Sequence, residues 1–126
     1  AQFIGAANVL EGTVTASGGL DLGGLVLECG PLPLPPGDRA VVAVRPERIR
    51  LTAPGADSAG TAGTVGYRAF AGDAWHVEVR LADGRVLSVQ VADTGAGAED
   101  PPGAGTPVLA RWDPADVIVL ESQGAG

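Results

Sequence analysis

A chain of 126 residues with 45% hydrophobic but only 4% aromatic content is about one domain, or two small packed ones, with a core built from Val, Leu, Ile and Ala. Its net charge is −7 and all eight basic residues are Arg, a balance that repels phosphate backbones and argues against nucleic-acid binding. One cysteine (Cys29) excludes an internal disulfide, and one histidine (His76) excludes a His-rich metal site.

No run approaches the ~18 apolar residues of a membrane helix, and no signal-peptide pattern is present, so direct membrane insertion is not expected. The single thiol fits a reducing, cytosolic setting. The chain begins at Ala1 and is apolar from its first residues, and it reads as a piece of something longer.

In chain order, Gln2-Phe3-Ile4-Gly5 is an apolar opening and Asn8 a turn or cap residue. Val9 to Ala16 alternates as a strand, with Leu10, Gly12 and Val14 on one face and Glu11, Thr13 and Thr15 on the other. Leu25 to Cys29 reads as a second strand. The four prolines between Gly30 and Asp38 exclude a central strand or helix there. Ala40 to Arg45 is a third strand that runs into Pro46, which lacks an N–H and turns the chain at a charged corner, Pro46–Arg48, of one helical turn. Arg45 and Glu47 thus reach a rim, as an interface or anion-reading pair or as a local ion pair pinning the corner. Residues 1–52 form a first strand set, 53–62 a linker, 63–121 a second set and 122–126 a frayed tail.

The second set opens with Thr64 to Ala71. It continues with a hairpin, Trp75 to Leu81 and Arg85 to Val91, around Ala82-Asp83-Gly84. A two-residue loop sets Val79 opposite Ser88 and mixes the faces. A three-residue loop with Gly84 in a left-handed bulge sets Val79 opposite Leu87, Val77 opposite Val89 and Trp75 opposite Val91, and is the predicted register. Pro107 to Trp112, an Asp113-to-Asp116 turn and Val117 to Leu120 close the chain. Short strands between turn clusters predict an all-β, OB-like β-barrel architecture of one or two small barrels with little helix.

No phosphate-binding glycine loop and no Cys–His or Ser–His–Asp set is present, so no catalytic residue is assigned and no cofactor or metal site is expected. His76 reads as a partly exposed strand residue, Cys29 as a small core residue, and Phe3, Tyr67, Phe70, Trp75 and Trp112 as mostly core. Asn8, Arg45 and Glu47 remain the candidate interface or ligand contacts.

Three ordered motif groups carry a resemblance. They are Phe3-Ile4-Gly5-x-x-Asn8-x-Leu10-Glu11-Gly12; Val44-Arg45-Pro46-Glu47-x-Ile49; and Gly63-Thr64-Val65 with Phe70-x-Gly72 and Trp112-x-Pro114-x-Asp116-x-x-Val119-Leu120. Together they resemble the transport-associated OB (TOBE) domain that follows the ATPase domain in ATP-binding subunits of bacterial ABC importers, polyamine and ferric-iron types above all. The resemblance implies a non-catalytic regulatory and dimerisation barrel at the cytoplasmic face of the membrane. Its partners would be a second ATP-binding subunit and, through the full-length protein, the permease. ATP and Mg belong to the ATPase domain, whose motifs this chain lacks. The opening Ala7-Asn8-x-Leu10-x-Gly12-x-Val14 also resembles molybdate-binding modules, although their Ser/Thr-rich anion-reading segment is not recognisable. Sensing of a transported solute or an oxyanion is the alternative function.

Overall fold

The computed structural model describes residues 7–27, 31–55, 60–92 and 101–123. Among them are ten strands: β1 (Asn8–Val14), β2 (Leu20–Asp21), β3 (Val26–Leu27), β4 (Arg39–Val44), β5 (Arg50–Thr52), β6 (Thr61–Phe70), β7 (Ala74–Leu81), β8 (Val86–Ala92), β9 (Pro107–Arg111) and β10 (Val117–Gln123). They form two antiparallel five-stranded sheets, ordered β10-β4-β1-β2-β3 and β5-β9-β6-β7-β8. Among the described residues, two short 3-10 turns, Pro46–Arg48 and Pro114–Asp116, are the only helical departures from this all-β plan.

The inward rows of the two sheets make one apolar cluster. Leu10, Val14, Leu20, Leu27, Val42 and Val44 face Val65, Val77, Val79, Leu87, Val89 and Val108 across it. The alternation of β1 is as predicted, with Leu10, Gly12 and Val14 buried and Glu11 exposed. Gly12 is required there, because a Cβ would meet the Asp21 carbonyl oxygen of β2 at 2.3 Å. Central strand β4 is buried at Ala40 and at Val42, Ala43 and Val44. Ala43 is shielded on its own face by its cross-strand neighbours Val9 and Ile118.

The β7–β8 hairpin has the predicted register, Val79↔Leu87, Val77↔Val89 and Trp75↔Val91, with Gly84 at φ 92°. His76 and Arg80 are exposed and Glu78 half-buried on its outer side. Other boundaries move. β6 begins at Thr61, inside the expected linker. β10 runs on through Ser122↔Ala40 and Gln123↔Arg39, where a frayed tail was expected. An outermost strand needs no apolar residue to pair, and its backbone supplies the bonds. The four-proline segment, where described, forms no strand.

The sheets also trade strands across the 53–62 segment. The chain leaves β4 in the first sheet, turns at Pro46–Arg48 and enters the second sheet as β5. It leaves β9 in the second sheet, turns at Pro114–Asp116 and returns to the first as β10. Because β4 pairs β10 (Val44↔Val117) and β5 pairs β9 (Arg50↔Arg111), these segments make one antiparallel ribbon running through both sheets.

Candidate functional site: the corner between the sheets

Pro46 sets the corner. Arg45 before it is extended, at φ −74° and ψ 142°, as the residue preceding proline must be. The turn closes through Arg48 N–H to the Arg45 carbonyl (3.0 Å) and Ile49 N–H to the Pro46 carbonyl (3.3 Å). Pro46 is buried, while Arg45, Glu47 and Arg48 are exposed. Arg45 and Glu47 form no ion pair, which corrects the local-pair reading. Residues two apart on a helical turn point in diverging directions. The corner's ion pair is instead Arg48 Nε to Asp116 Oδ1 of the other crossing, at 3.9 Å.

Asn8 lies beneath this corner and is 8% exposed. Its Nδ2 donates to the Val44 carbonyl (3.1 Å) and the Ser88 carbonyl (2.9 Å), and the Ser88 N–H donates to its Oδ1 (2.7 Å). The side-chain amide therefore imitates a peptide group and pairs with β8, an edge strand of the second sheet. A buried amide so satisfied adds stability, and losing it leaves backbone groups orphaned. The structure thus does not bring the three sequence candidates together: Asn8 is an internal clasp between the sheets, and Arg45 and Glu47 project outward.

Two clefts flank the corner and meet at Gln90. One, of about 300 Å³, is bordered by Pro46, Tyr67, His76, Glu78, Ser88 and Gln90. The other, of about 470 Å³, is bordered by Glu47, β5, the end of β8 and Pro101-Pro102. Nothing local in the sequence marks Ser88 or Gln90, because their role depends on a strand edge that exists only in the folded sheet.

Tyr67 and Phe70 are exposed and not core, a second correction. A register shift between Val65 and Tyr67 changes the phase of β6, and alternation across such a bulge reverses. Phe70 packs tilted against Trp75 with centroids 5.2 Å apart. Arg68 lies over the Trp75 ring at 4.9 Å and donates to the Pro101 carbonyl. Asp113 accepts from Ala115 N–H at 2.8 Å and so caps the turn expected from Asp113 to Asp116. Backbone N–H groups of Gly24 and Gly23 hold the Asp21 carboxyl below its ordinary value, and that of Arg85 does the same for Asp83. Among the described residues no group of three His, Cys, Asp or Glu is placed to hold a metal ion, and no helix is long and apolar enough to cross a membrane. Phe3, Cys29, Glu99 and Asp100 lie outside the described residues.

Residues 42–120 match the TOBE domain family. The chain is also similar in structure to ModG, a cytoplasmic molybdate-binding protein, in a molybdate-bound form. The TM-score is 0.66 and the identity 21%, covering 89% of this chain and 94% of that one. At that identity the likeness establishes the shared fold.

Proposed function

The chain belongs to the TOBE domain family, and from that premise we propose that it is a non-catalytic regulatory domain of the ATP-binding subunit of an ABC importer. The observation that carries this reading is the extent of the family match. It runs from β4 through both sheet crossings to Leu120 in β10, and so takes in the Arg45-Pro46-Glu47 corner and the Trp112-x-Pro114-x-Asp116 crossing that carry the resemblance to importer subunits. The corner suits contact with another subunit, since its backbone is fixed by Pro46 and two exposed charges, Arg45 and Glu47, stand outward. ATP and Mg would be held by the ATPase domain. The partners would be a second ATP-binding subunit and the permease at the cytoplasmic face, with a polyamine or ferric iron as the transported solute.

The test is ATP hydrolysis. The isolated chain should show none, and full-length subunits carrying Arg45→Glu or Glu47→Arg should keep basal hydrolysis while its coupling to the permease shifts. Turnover by the isolated chain, or unchanged coupling in both variants, would overturn the reading.

A second reading, solute or oxyanion sensing, is favoured by the two clefts that meet at Gln90, since ligand sites are concave with a few convergent polar groups. Calorimetry with polyamines, Fe(III), molybdate and sulfate distinguishes it, and flat traces with all of them reject it.

A further inference from the structure

A third cleft lies at the Arg39 end of β4, the end away from the Pro46–Arg48 corner. Its volume is about 310 Å³, and it is bordered by Glu11 and Thr13 of β1, Asp21 and Leu22 at the end of β2, Arg39 of β4 and Arg85 of the β7–β8 hairpin. Thr13 pairs with Arg39 on one side and with Asp21 on the other. Cross-strand partners share a face, so base, hydroxyl and acid form one row across three strands. None of these residues adjoins an undescribed stretch of the chain, and every Arg and the single His are among the described residues.

Each charged group of this cleft is anchored without being used up. Arg39 donates from Nη2 to Glu11 Oε2 (3.1 Å) and from Nη1 to Thr13 Oγ1 (3.4 Å), which draws its head along β1. Arg85 donates from Nε to Asp83 Oδ2 (2.9 Å) and from Nη2 to the Leu22 carbonyl (3.2 Å), and so reaches from the second sheet to the rim of the first. A guanidinium carries five N–H donors, so both arginines keep some for a ligand. Asp21 is fixed through Oδ1, which accepts from Gly23 N–H (2.9 Å) and Gly24 N–H (3.1 Å). Its Oδ2 has no donor among the described residues, and Asp21 forms no ion pair although two arginines border the same cleft. With every Arg and the His accounted for, and no Lys in the chain, no other basic side chain supplies one.

The cleft therefore presents guanidinium N–H groups and a free carboxylate oxygen to the same polar hollow. A simple anion entering it would face Asp21 and Glu11, and a simple cation would face two guanidiniums. A molecule that carries both charges meets complementary groups with each. The volume is close to the lower bound of ligand pockets, roughly 300 Å³, and Leu22 is the one large apolar residue of the border. Size and polarity together fit a small, charged molecule. The Arg39–Glu11 pair is exposed on both sides, and such pairs contribute little, so a ligand carboxylate can take the place of Glu11 at small cost.

We infer that this cleft binds a small zwitterion of the amino-acid class, its carboxylate on Arg39 and Arg85 and its ammonium on Asp21. The inference depends neither on the transporter reading nor on the clefts that meet at Gln90, since it concerns a separate set of residues at the opposite end of β4.

The test follows backbone amide resonances of the purified, isotope-labelled chain at low ionic strength, where exposed charges are least screened. Glycine and γ-aminobutyrate supply both charges at two separations, and acetate and methylammonium supply each charge alone. At least one zwitterion should bind about tenfold or more tightly than either half, each tenfold being about 1.4 kcal/mol. The amides of Thr13, Leu22, Gly23 and Arg85 should shift most. Asp21→Asn keeps an oxygen for the Gly23 and Gly24 N–H groups and removes the charge. It should lower zwitterion affinity to that of acetate, while acetate itself binds no less well. Arg39→Gln with Arg85→Gln should lower it to that of methylammonium. Either half binding as tightly as the whole would mean an unspecific charge contact and overturns the proposal. So do loss of acetate binding in Asp21→Asn, which would make Asp21 purely structural, unchanged zwitterion affinity in the variants, shifts centred on Gln90, and no saturable shift at tens of millimolar ligand.

Discussion

The two crossings between the sheets are built on the same outline and held by different means. Each places a proline at the first position of a three-residue 3-10 turn, after an extended residue and before another strand. At Pro114–Asp116 the turn is secured locally: the Asp113 carboxylate caps the Ala115 N–H, and no residue of the turn is buried. At Pro46–Arg48 no side chain caps the turn; Pro46 itself is buried, and Asn8 fastens the strand leading into it to the opposite sheet. A capped turn carries its own stability and leaves its neighbours free. A buried turn depends on partners distant in sequence, and so couples the sheets to each other.

That contrast can be broken in a graded way. Asn8→Ala should cost most, about 3 kcal/mol, because it removes three hydrogen bonds at once, one buried to the Val44 carbonyl and two part-buried to the Ser88 N–H and carbonyl. Urea unfolding measures it, and a loss under about 1 kcal/mol would mean that water replaces the clasp. Asp113→Ala should cost about 1 kcal/mol, the usual worth of a cap, and amide exchange should quicken at Ala115 while Ser88 stays protected. Equal loosening at both would show that the second crossing is not locally held. Removing Arg48 and Asp116 singly and together should reveal a coupling of no more than about 0.5 kcal/mol, since the pair is long and Arg48 is largely exposed. The smallest effect belongs to Arg45→Ala, within about 0.5 kcal/mol, because Arg45 is exposed and bridges no carboxylate among the described residues; a larger loss would restore a structural role to its guanidinium.

Features fixed by neighbours in the chain were readable from the residues alone. Pro46 announces its turn through its ring and missing N–H. Asp83-Gly84 with the alternation of Val77, Val79, Leu87 and Val89 determines the hairpin register down to single pairs. Features fixed by distant residues were not. The two-residue strands β2 and β3 are too short to display a period. Glu121-Ser122-Gln123 looks like a polar tail, yet pairs because β4 offers it an edge. Tyr67 and Phe70 follow a register shift that no alternation rule anticipates. Asn8 was legible as a residue of interest, but its partner Ser88 lies in another sheet, and the clasp it makes there has no local signature.

The ribbon through both sheets has a consequence for the order in which the molecule assembles. The β6-β7-β8 meander joins strands that follow one another directly, and its hairpins can close as soon as they are made. Arg39 must wait for Gln123, and Val44 for Val117, a long loop whose closure entropy has to be met before those contacts return anything. Until the last residues of the chain arrive, β4 keeps one apolar edge unpaired, the state in which strands recruit unintended neighbours. The slow step of folding, and the moment of greatest exposure to aggregation, should therefore be the docking of the final strand.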